Sequence, residues 1–187
     1  AAQEAADRLV ETAWWRFARG VAQYNEAKGT SVEVIGWDVA TQEGVFVGGF
    51  TDQNAAKTIS TNMFDQGVDV IMPVAGALFQ GTLAAMQDRG DDSIAIIGVN
   101  SDGYDVAADA ASSYLTSVLK NMANATRDAV LQVANDGFDN EPYVGTLEND
   151  GVGIAPFHDF ESIVPADLAD ELAALRDQIV DGSLDIG

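Results

Sequence analysis

Two short, strongly apolar runs with one helical segment between them constrain the fold of this chain more than any other feature of its sequence. The runs are residues 68–72 and 94–99, and residues 78–88 between them have the apolar spacing of a helix. Gly67 and Gly90, which precede the runs, are natural helix terminators. Apolar runs without polar alternation are typical of buried parallel strands, and parallel strands need a crossover such as this helix.

The segments before these runs continue the alternation. Residues 4–27 carry apolar side chains at helical spacing, and residues 31–37 are predicted to form a strand. Asp52 is a predicted N-cap for a helix that runs to about Gln66. Residues 1–100 therefore alternate helix and strand, which predicts an α/β fold: a doubly wound parallel sheet flanked by helices on both faces.

The rest of the chain is less regular. Its predicted elements are an extended segment over 114–117, a helix over 118–135, brief strands over 143–147 and 152–155, and a final amphipathic helix over 165–180.

Charge and composition exclude several classes of function. The 187 residues include 30 acidic and 9 basic side chains, a net charge of −21 that would repel nucleic-acid phosphates and anionic membrane surfaces. The chain has no cysteine, which excludes thiol catalysis, disulfides and cysteine-ligated metals. No apolar run approaches the roughly 20 residues that span a bilayer.

Ligands of open parallel sheets bind beyond the carboxyl ends of the strands, and four loops are predicted to lie there. Each combines small residues with one or two polar or aromatic side chains, which suits a site that stacks a ring and hydrogen-bonds hydroxyls. The loops are residues 48–52, 75–79, 100–104 and 116–120.

Four side chains in these loops are open to two interpretations. Phe50 either stacks on a planar ligand or packs as core. Lys120, at the start of the predicted helix, either donates to ligand oxygens or is a solvated surface lysine. Asn100 and Asp102, which follow a buried strand, either cap the next element or contact the ligand.

The sequence gives little support for catalysis or metal binding. His158, the single histidine, stands beside Asp159 and is interpreted as structural, because no nucleophile elbow and no second histidine accompany it. Two groups of acids do not match the full calcium-loop pattern and are interpreted as solvated: Asp102, Asp105 and Asp109, and Asp136, Asp139 and Glu141.

A series of motifs resembles the basic membrane protein family, also called the purine nucleoside receptor type. The motifs occupy residues 15–21, 49–52, 67–71, 75–76, 97–102, 115–121 and 151–156, in the family's order. Members of this family are periplasmic or lipid-anchored solute-binding proteins of ABC importers, with a type I periplasmic-binding fold. The resemblance covers about residue 14 to the end.

The resemblance implies a ligand held between two lobes, with an aromatic side chain from each lobe stacked on a nucleobase. On the lobe represented here, it implies that Phe50 stacks, that Gly76 is part of the pocket and that Lys120 binds the ligand. Asn100 stands where the family usually has an acid that accepts from ribose hydroxyls, and an amide accepts more weakly than a carboxylate.

Asp52, Phe79 and Asp102 complete the candidate ligand-binding set. Asp52 belongs to the same motif as Phe50, and Asp102 belongs to the same motif as Asn100. Phe79 lies in a segment that is small and rich in glycine and threonine in the family, and it is expected either to intrude on the pocket or to add a second stacking face. These departures leave a different nucleoside, or a sugar-like ligand, open.

The resemblance also implies a larger protein, because family members are roughly twice the size of one lobe. Residues 1–116 and 150–187 are predicted to form the second lobe, and residues 117–149 to cross onto a first lobe that is missing here. The apolar face of the helix over 118–135 would then lack a partner. The chain is predicted to be a piece of a longer protein, or to associate with itself or with the other half.

The predicted function is that of the solute-binding component of an ABC importer at the extracellular face of the membrane or in the periplasm, lipid-anchored in the full-length protein. It would bind a nucleoside or similar polar ring compound and deliver it to a permease, by hinge motion and without a cofactor. The alternatives are a sugar-type or other small-molecule binder, an enzyme on the same layered fold, and a partner-binding module.

Overall fold

The computed structural model describes residues 2–135, 137 and 139–185 and divides the chain into two compact units. The first unit extends to Ala95, and the second comprises Ile96–Asp185. The predicted α/β class is confirmed, with parallel strands and flanking helices. Among the helices of the described ranges, none is long and apolar enough to cross a membrane.

The first unit is built from three helices and three very short strands. Its elements are α1 (Ala2–Lys28), β1 (Trp37–Asp38), β2 (Glu43–Gly44), α2 (Gln53–Asp65), β3 (Val70–Ile71), a 3-10 turn (Gly76–Leu78) and α3 (Phe79–Arg89). Strands β1 and β2 pair antiparallel. Buried apolar side chains of α2, β3, the 3-10 turn and α3 form its core, among them Met63, Phe64, Ile71, Leu78 and Met86.

The helix ends that the sequence predicts are confirmed in this unit. The Asp52 carboxylate accepts a hydrogen bond from the backbone N–H of Ala55 at 2.9 Å and so caps α2. Gly90 follows α3 in the left-handed region, with φ of +63°, and its N–H donates to the Met86 carbonyl. That conformation favours glycine, which explains why α3 ends there.

The strand predicted over residues 31–37 is wrong. The Asn25 side chain of α1 binds both backbone groups of Val32: Asn25 Oδ1 accepts from the Val32 N–H, and Asn25 Nδ2 donates to the Val32 carbonyl, each at 2.8 Å. These bonds occupy the groups that a strand ladder would need. Only Trp37–Asp38 is paired, with β2.

The apolar run over residues 68–72 gives a shorter strand than its sequence predicts. Only Val70–Ile71 is assigned to β3. The carbonyl of the preceding Asp69 accepts from the N–H of Ala95 at 2.9 Å, so the run still takes part in backbone pairing.

The second unit holds the longer strands. Its elements are β4 (Ala95–Asn100, which begins at the last residue of the first unit), α4 (Gly103–Val106), a 3-10 segment (Ala108–Ser113), β5 (Tyr114–Lys120), α5 (Met122–Ala134), β6 (Val152–Ile154), a 3-10 turn (His158–Phe160) and α6 (Leu168–Val180). Strand β5 lies between β4, to which it is parallel, and β6, to which it is antiparallel.

The predicted helix over residues 118–135 begins later than its sequence indicates. Residues 118–120 belong to β5, and α5 begins at Met122. Val118 pairs with Val99 on one side and with Ile154 on the other. Pairing on both sides satisfies the backbone in the extended form, which overrides the helical spacing of the side chains.

The strand predicted over residues 143–147 is also wrong. Asn149 holds this segment in a turn: its Oδ1 accepts from the Thr146 N–H at 2.8 Å, and its Nδ2 donates to the Val144 carbonyl at 2.9 Å. The side-chain amide again takes the backbone groups that a ladder would use.

Candidate functional site

Phe50 lines a cavity in the first unit and lies beside Gly76, which follows another lining residue, Ala75. The Phe50 ring is 45% exposed, and a Cβ placed on Gly76 would lie 3.8 Å from its Cδ1 atom. Gly76 has φ of +56°, in the left-handed region where a side chain is strained. The structure therefore brings these two predicted site residues together and leaves Phe50 partly exposed.

This cavity has a volume of about 90 Å³ and a mainly apolar lining, which includes Trp14, Phe46, Met63, Ile71 and Leu78. The Trp14 Nε1–H is buried and has no hydrogen-bond partner among the described residues. The volume is well below the roughly 300–1,000 Å³ of typical small-molecule pockets. The cavity of the first unit is therefore too small to enclose a whole ligand of that kind.

The loops that carry Phe50 and Gly76 are held together by the start of α2. The Gln53 side chain donates from Nε2 to the Ala77 carbonyl at 3.0 Å, and to Gln80 Oε1 at 3.4 Å. Sequence reasoning missed Gln53, because a glutamine in the first turn of a helix carries no distinctive signal.

Asp52 and Phe79 occupy less prominent positions. The Asp52 side chain is exposed, and one of its oxygens already caps α2. Phe79 is half-buried as the first residue of α3, and the cavity lining contains its neighbour Leu78 but not Phe79. Ligand contact by either residue stays a prediction.

In the second unit, Asn100 and Lys120 end two adjacent parallel strands. Asn100 is the last residue of β4 and pairs with Leu119, the residue before Lys120 in β5. Parallel strands present their carboxyl ends at the same edge of a sheet, so these two residues share that edge. Asn100 has φ of +77°, a left-handed conformation that asparagine tolerates better than most residues.

Lys120 lies on a strand end and not, as the sequence predicted, on a helix start. It pairs with Val152 of β6 and its side chain is exposed. Within the part of the chain that the structure describes, its ammonium group forms no ion pair, although the sequence has 30 acids. A cation without a protein partner is available to a ligand oxygen.

Asp102, Tyr104, His158 and Asp159 form a polar cluster, also in the second unit. Asp102 Oδ1 accepts from the Tyr104 backbone N–H at 3.1 Å, and Asp102 Oδ2 accepts from His158 Nε2 at 2.8 Å. The Tyr104 and His158 rings stack with centroids 4.0 Å apart. The Tyr104 hydroxyl donates to Asp159 Oδ1 at 3.3 Å.

The negative charge of Asp159 is the main cause that raises the pKa of the Tyr104 phenol above its usual value, followed by burial and by the hydrogen bond to Asp159. The sequence places His158 beside Asp159, but the structure pairs His158 with Asp102 and gives Asp159 to Tyr104. Each of these hydrogen bonds joins residues more than fifty positions apart in the sequence, so no local pattern predicts the cluster.

No group of three acidic or histidine side chains in the described ranges is arranged to hold a metal ion. Asp136, one member of the second acidic group considered above, lies outside the described residues.

The predicted site residues divide between the units. Phe50, Asp52, Gly76 and Phe79 lie in the first, and Asn100, Asp102 and Lys120 in the second.

Comparison with known proteins places these features in a family context. The family model described as Bmp, ABC transporter substrate-binding protein PnrA-like, matches residues 8–186.

Solved structures show the same fold at low sequence identity. An ABC transporter solute-binding protein from Aeropyrum pernix K1 aligns with a TM-score of 0.70 at 23% identity, over 89% of this chain and 50% of its own. A transcriptional activator of the comK gene from Bacillus halodurans aligns with a TM-score of 0.62 at 19% identity, over 74% of this chain and 46% of its own.

An ABC transporter solute-binding protein from Conexibacter woesei aligns with a TM-score of 0.55 at 21% identity, over 76% of this chain and 45% of its own. The chain therefore spans about half the length of each of these structures.

Proposed function

The chain belongs to the PnrA-like family of ABC transporter substrate-binding proteins, and from this premise we propose that it forms one lobe of a two-lobe clamp that binds a nucleoside or a similar small polar ring compound. The clamp closes on the solute by hinge motion and delivers it to a membrane permease. The proposal places the protein at the extracellular face of the membrane or in the periplasm, held by a lipid anchor.

The observation that carries the proposal is that Phe50, which lines the cavity, lies beside Gly76. An exposed aromatic ring offers a flat face for a planar ligand, and glycine beside it lets that ligand approach closely. Stacking of a base on an aromatic side chain is worth about 1–3 kcal/mol and does not require a particular base. Phe50 is therefore the proposed stacking residue, and Gly76 is its proposed neighbour in the pocket.

Asn100 and Lys120 are the proposed polar contacts. Both stand at the carboxyl ends of parallel strands, where ligands of this class of sheet bind. The amide of Asn100 can both donate to and accept from hydroxyl groups, and the Lys120 ammonium only donates. Such a pair suits a ligand that carries several neutral oxygens, as the ribose of a nucleoside does.

The proposed second half of the clamp accounts for an exposed face of α5. None of the residues of α5 is buried, although the helix is amphipathic. Its exposed apolar side chains are Met122, Val130, Leu131 and Val133. The matched solute-binding structures are about twice as long as this chain, and we assign this face to contact with a first lobe, reached through residues 117–149.

Amide NMR spectra recorded with millimolar nucleosides, nucleobases and monosaccharides test the proposal, because shift changes detect the weak binding expected of one lobe. We expect nucleosides to shift the signals of Phe50 and Gly76. Phe50→Ala should raise the dissociation constant by about fivefold or more, since the lost stacking is worth about 1–3 kcal/mol. Tyr24→Ala, which removes an equally exposed aromatic ring from α1, is the control.

An unchanged dissociation constant in Phe50→Ala would remove Phe50 from the site. Shifts with monosaccharides alone would replace the nucleoside with a sugar-like solute. A folded chain that responds to none of these compounds would contradict the proposal.

A further inference from the structure

The single histidine of the chain is held in an unusual conformation by a polar cluster. His158 has φ of +46°, a left-handed value that costs energy in a residue with a Cβ and persists only where the surroundings hold it. Two contacts hold it here: the 2.8 Å hydrogen bond from Nε2 to Asp102 and the stack on the Tyr104 ring.

Asp102 is committed to protein donors through both of its carboxylate oxygens. One accepts from the Tyr104 backbone N–H and caps α4, and the other accepts from His158. Its side chain is 18% exposed, and that of His158 is 21% exposed. Both oxygens of this carboxylate therefore bind groups of the protein itself, in a setting largely shielded from solvent.

The residues next to Asp102 are fixed just as closely. The Gly103 N–H donates to Ser117 Oγ of β5 at 2.9 Å. A Cβ on Gly103 would lie 1.9 Å from a ring atom of Tyr114, so this loop packs against the strand with no space for a side chain. The loop is thus attached to β5 through Gly103 and to His158 through Asp102.

Asn100, two residues before Asp102, depends on both attachments. Its left-handed φ of +77° is the turn by which the chain leaves β4 and enters this loop. Pairing with Leu119 fixes Asn100 from the strand side, and Asp102 fixes the chain that follows. The backbone conformation of Asn100 is therefore constrained on one side by β5 and on the other by the acid that binds His158.

We propose that His158 is a positioning residue: by binding Asp102 it holds the loop of residues 100–104 in the one conformation that presents the Asn100 amide to the solute. The inference rests on the proposed function. The inference assigns Asp102 to positioning and not to solute contact. The segment after β6, which carries His158, would then affect the affinity for the solute without touching the solute.

Two substitutions of His158 separate its hydrogen bond from its ring. His158→Gln retains an N–H donor at similar reach and loses the ring that stacks on Tyr104. His158→Phe retains a ring and loses the donor. Both keep a Cβ at the left-handed position, so the backbone strain is matched. Glu161→Gln, an exposed change in the segment that follows, is the control.

The ligand-free measurement is NMR. Because the chain has one histidine, its imidazole nitrogen signals are assigned without ambiguity. We expect Nε2 to carry the proton, and we expect the amide signals of residues 100–104 to be nearly unchanged in His158→Gln and clearly shifted in His158→Phe. Unchanged loop signals in a folded His158→Phe protein would overturn the inference, whether or not a solute is known.

The second measurement is the affinity for whichever nucleoside binds the unsubstituted chain. We expect the dissociation constant to rise about tenfold in His158→Phe and to stay within about twofold in His158→Gln, since tenfold is the effect of one well-placed hydrogen bond. A loss in His158→Gln as large as that in His158→Phe, or larger, would mean that the affinity depends on the ring and not on the hydrogen bond alone, and would overturn the inference. If no nucleoside binds at all, the proposed function fails, while the loop signals still decide the role of His158.

Discussion

The hydroxyl groups of Ser60 and Thr82 form a buried hydrogen bond of 2.9 Å between α2 and α3. These two helices begin just after the loops that carry Phe50 and Gly76, so the way they pack determines how those loops meet. The polar contact fixes the helix pair in one register, because any sliding would leave a hydroxyl buried without a partner.

Removal of either hydroxyl alone should destabilise the protein, and removal of both should cost less than the sum of the two single losses. We expect Ser60→Ala or Thr82→Val to lower the free energy of unfolding by about 1–3 kcal/mol, since each leaves the other hydroxyl unsatisfied. The double variant should lose less than the sum of the single losses. Urea denaturation of the four proteins measures this coupling.

Thr61→Ala is the control for this cycle. Thr61 is an exposed residue of α2 that bonds only the Lys57 carbonyl of its own helix, and its loss should stay within about 0.5 kcal/mol. Strictly additive losses in the double variant would show that the two hydroxyls do not support each other.

The close approach of α2 and α3 also depends on Gly81. A Cβ on Gly81 would lie 2.6 Å from the Gln53 carbonyl oxygen and 2.9 Å from the Ala56 Cβ. Gly81→Ala should therefore lower the free energy of unfolding by about 1–3 kcal/mol, as overpacked substitutions do. It should also weaken solute binding, because Gln53 links the two loops of the proposed site.

Gly20→Ala is a matched comparison in a helix with free space. Apart from its chain neighbours and the nearby backbone of its own helix, nothing lies within 4 Å of a Cβ placed on Gly20 of α1. Alanine there should therefore stabilise the protein by about 0.5–1 kcal/mol through its higher helix propensity. Thermal unfolding of both variants gives the comparison. Equal stabilisation by the two substitutions would contradict the close packing at Gly81.

Local signals in the sequence predicted local structure well. Asp52 caps α2 and Gly90 ends α3, because each effect involves residues within one helical turn. The strands predicted over 31–37 and 143–147 failed for a related reason. Asparagine side chains at positions 25 and 149 bind backbone groups of those segments, and the spacing of apolar residues carries no information about such hydrogen bonds.

The candidate site was only partly predictable. Motif resemblance led to Phe50, Gly76 and Asn100, and the structure adds that the first two are neighbours. The pairing of His158 with Asp102 joins residues 56 positions apart and depends on how the segment after β6 folds back. Nothing in the immediate sequence of either residue specifies this contact.

Tyr104 should titrate later than an ordinary tyrosine. The charge of Asp159 raises the pKa of its phenol, so the folded state retains the proton more strongly than the unfolded state does. A raised pKa contributes stability that is present below the ordinary value of about 10 and is lost as pH rises through the folded value. The Tyr104 contribution to stability should therefore decline only in strongly alkaline solution.

Absorbance of the tyrosinate, measured as the difference between the unsubstituted chain and Tyr104→Phe, isolates this titration. Asp159→Asn should move the pKa of Tyr104 back toward its ordinary value. Tyr114, whose pKa is raised by burial alone, should not respond to Asp159→Asn and serves as the internal control. A Tyr104 titration that ignores Asp159→Asn would show that the hydroxyl contact does not form in solution.

Lys120 provides a test of the solute site that leaves the fold intact. Its ammonium group is exposed at the end of β5 and forms no ion pair within the described ranges, so Lys120→Gln should change the free energy of unfolding by less than about 0.5 kcal/mol. If the ammonium group donates to a solute oxygen, the same change should raise the dissociation constant about tenfold, because hydrogen bonds from charged donors are worth about 1.5–3 kcal/mol.

Lys57→Gln, which breaks a surface ion pair with Asp88, is the control and should leave affinity unchanged. Calorimetric titration of the three proteins separates the cases: equal affinities for all three would mean that Lys120 is a solvated lysine, and a loss in both variants would mean that net charge, and not contact, governs binding.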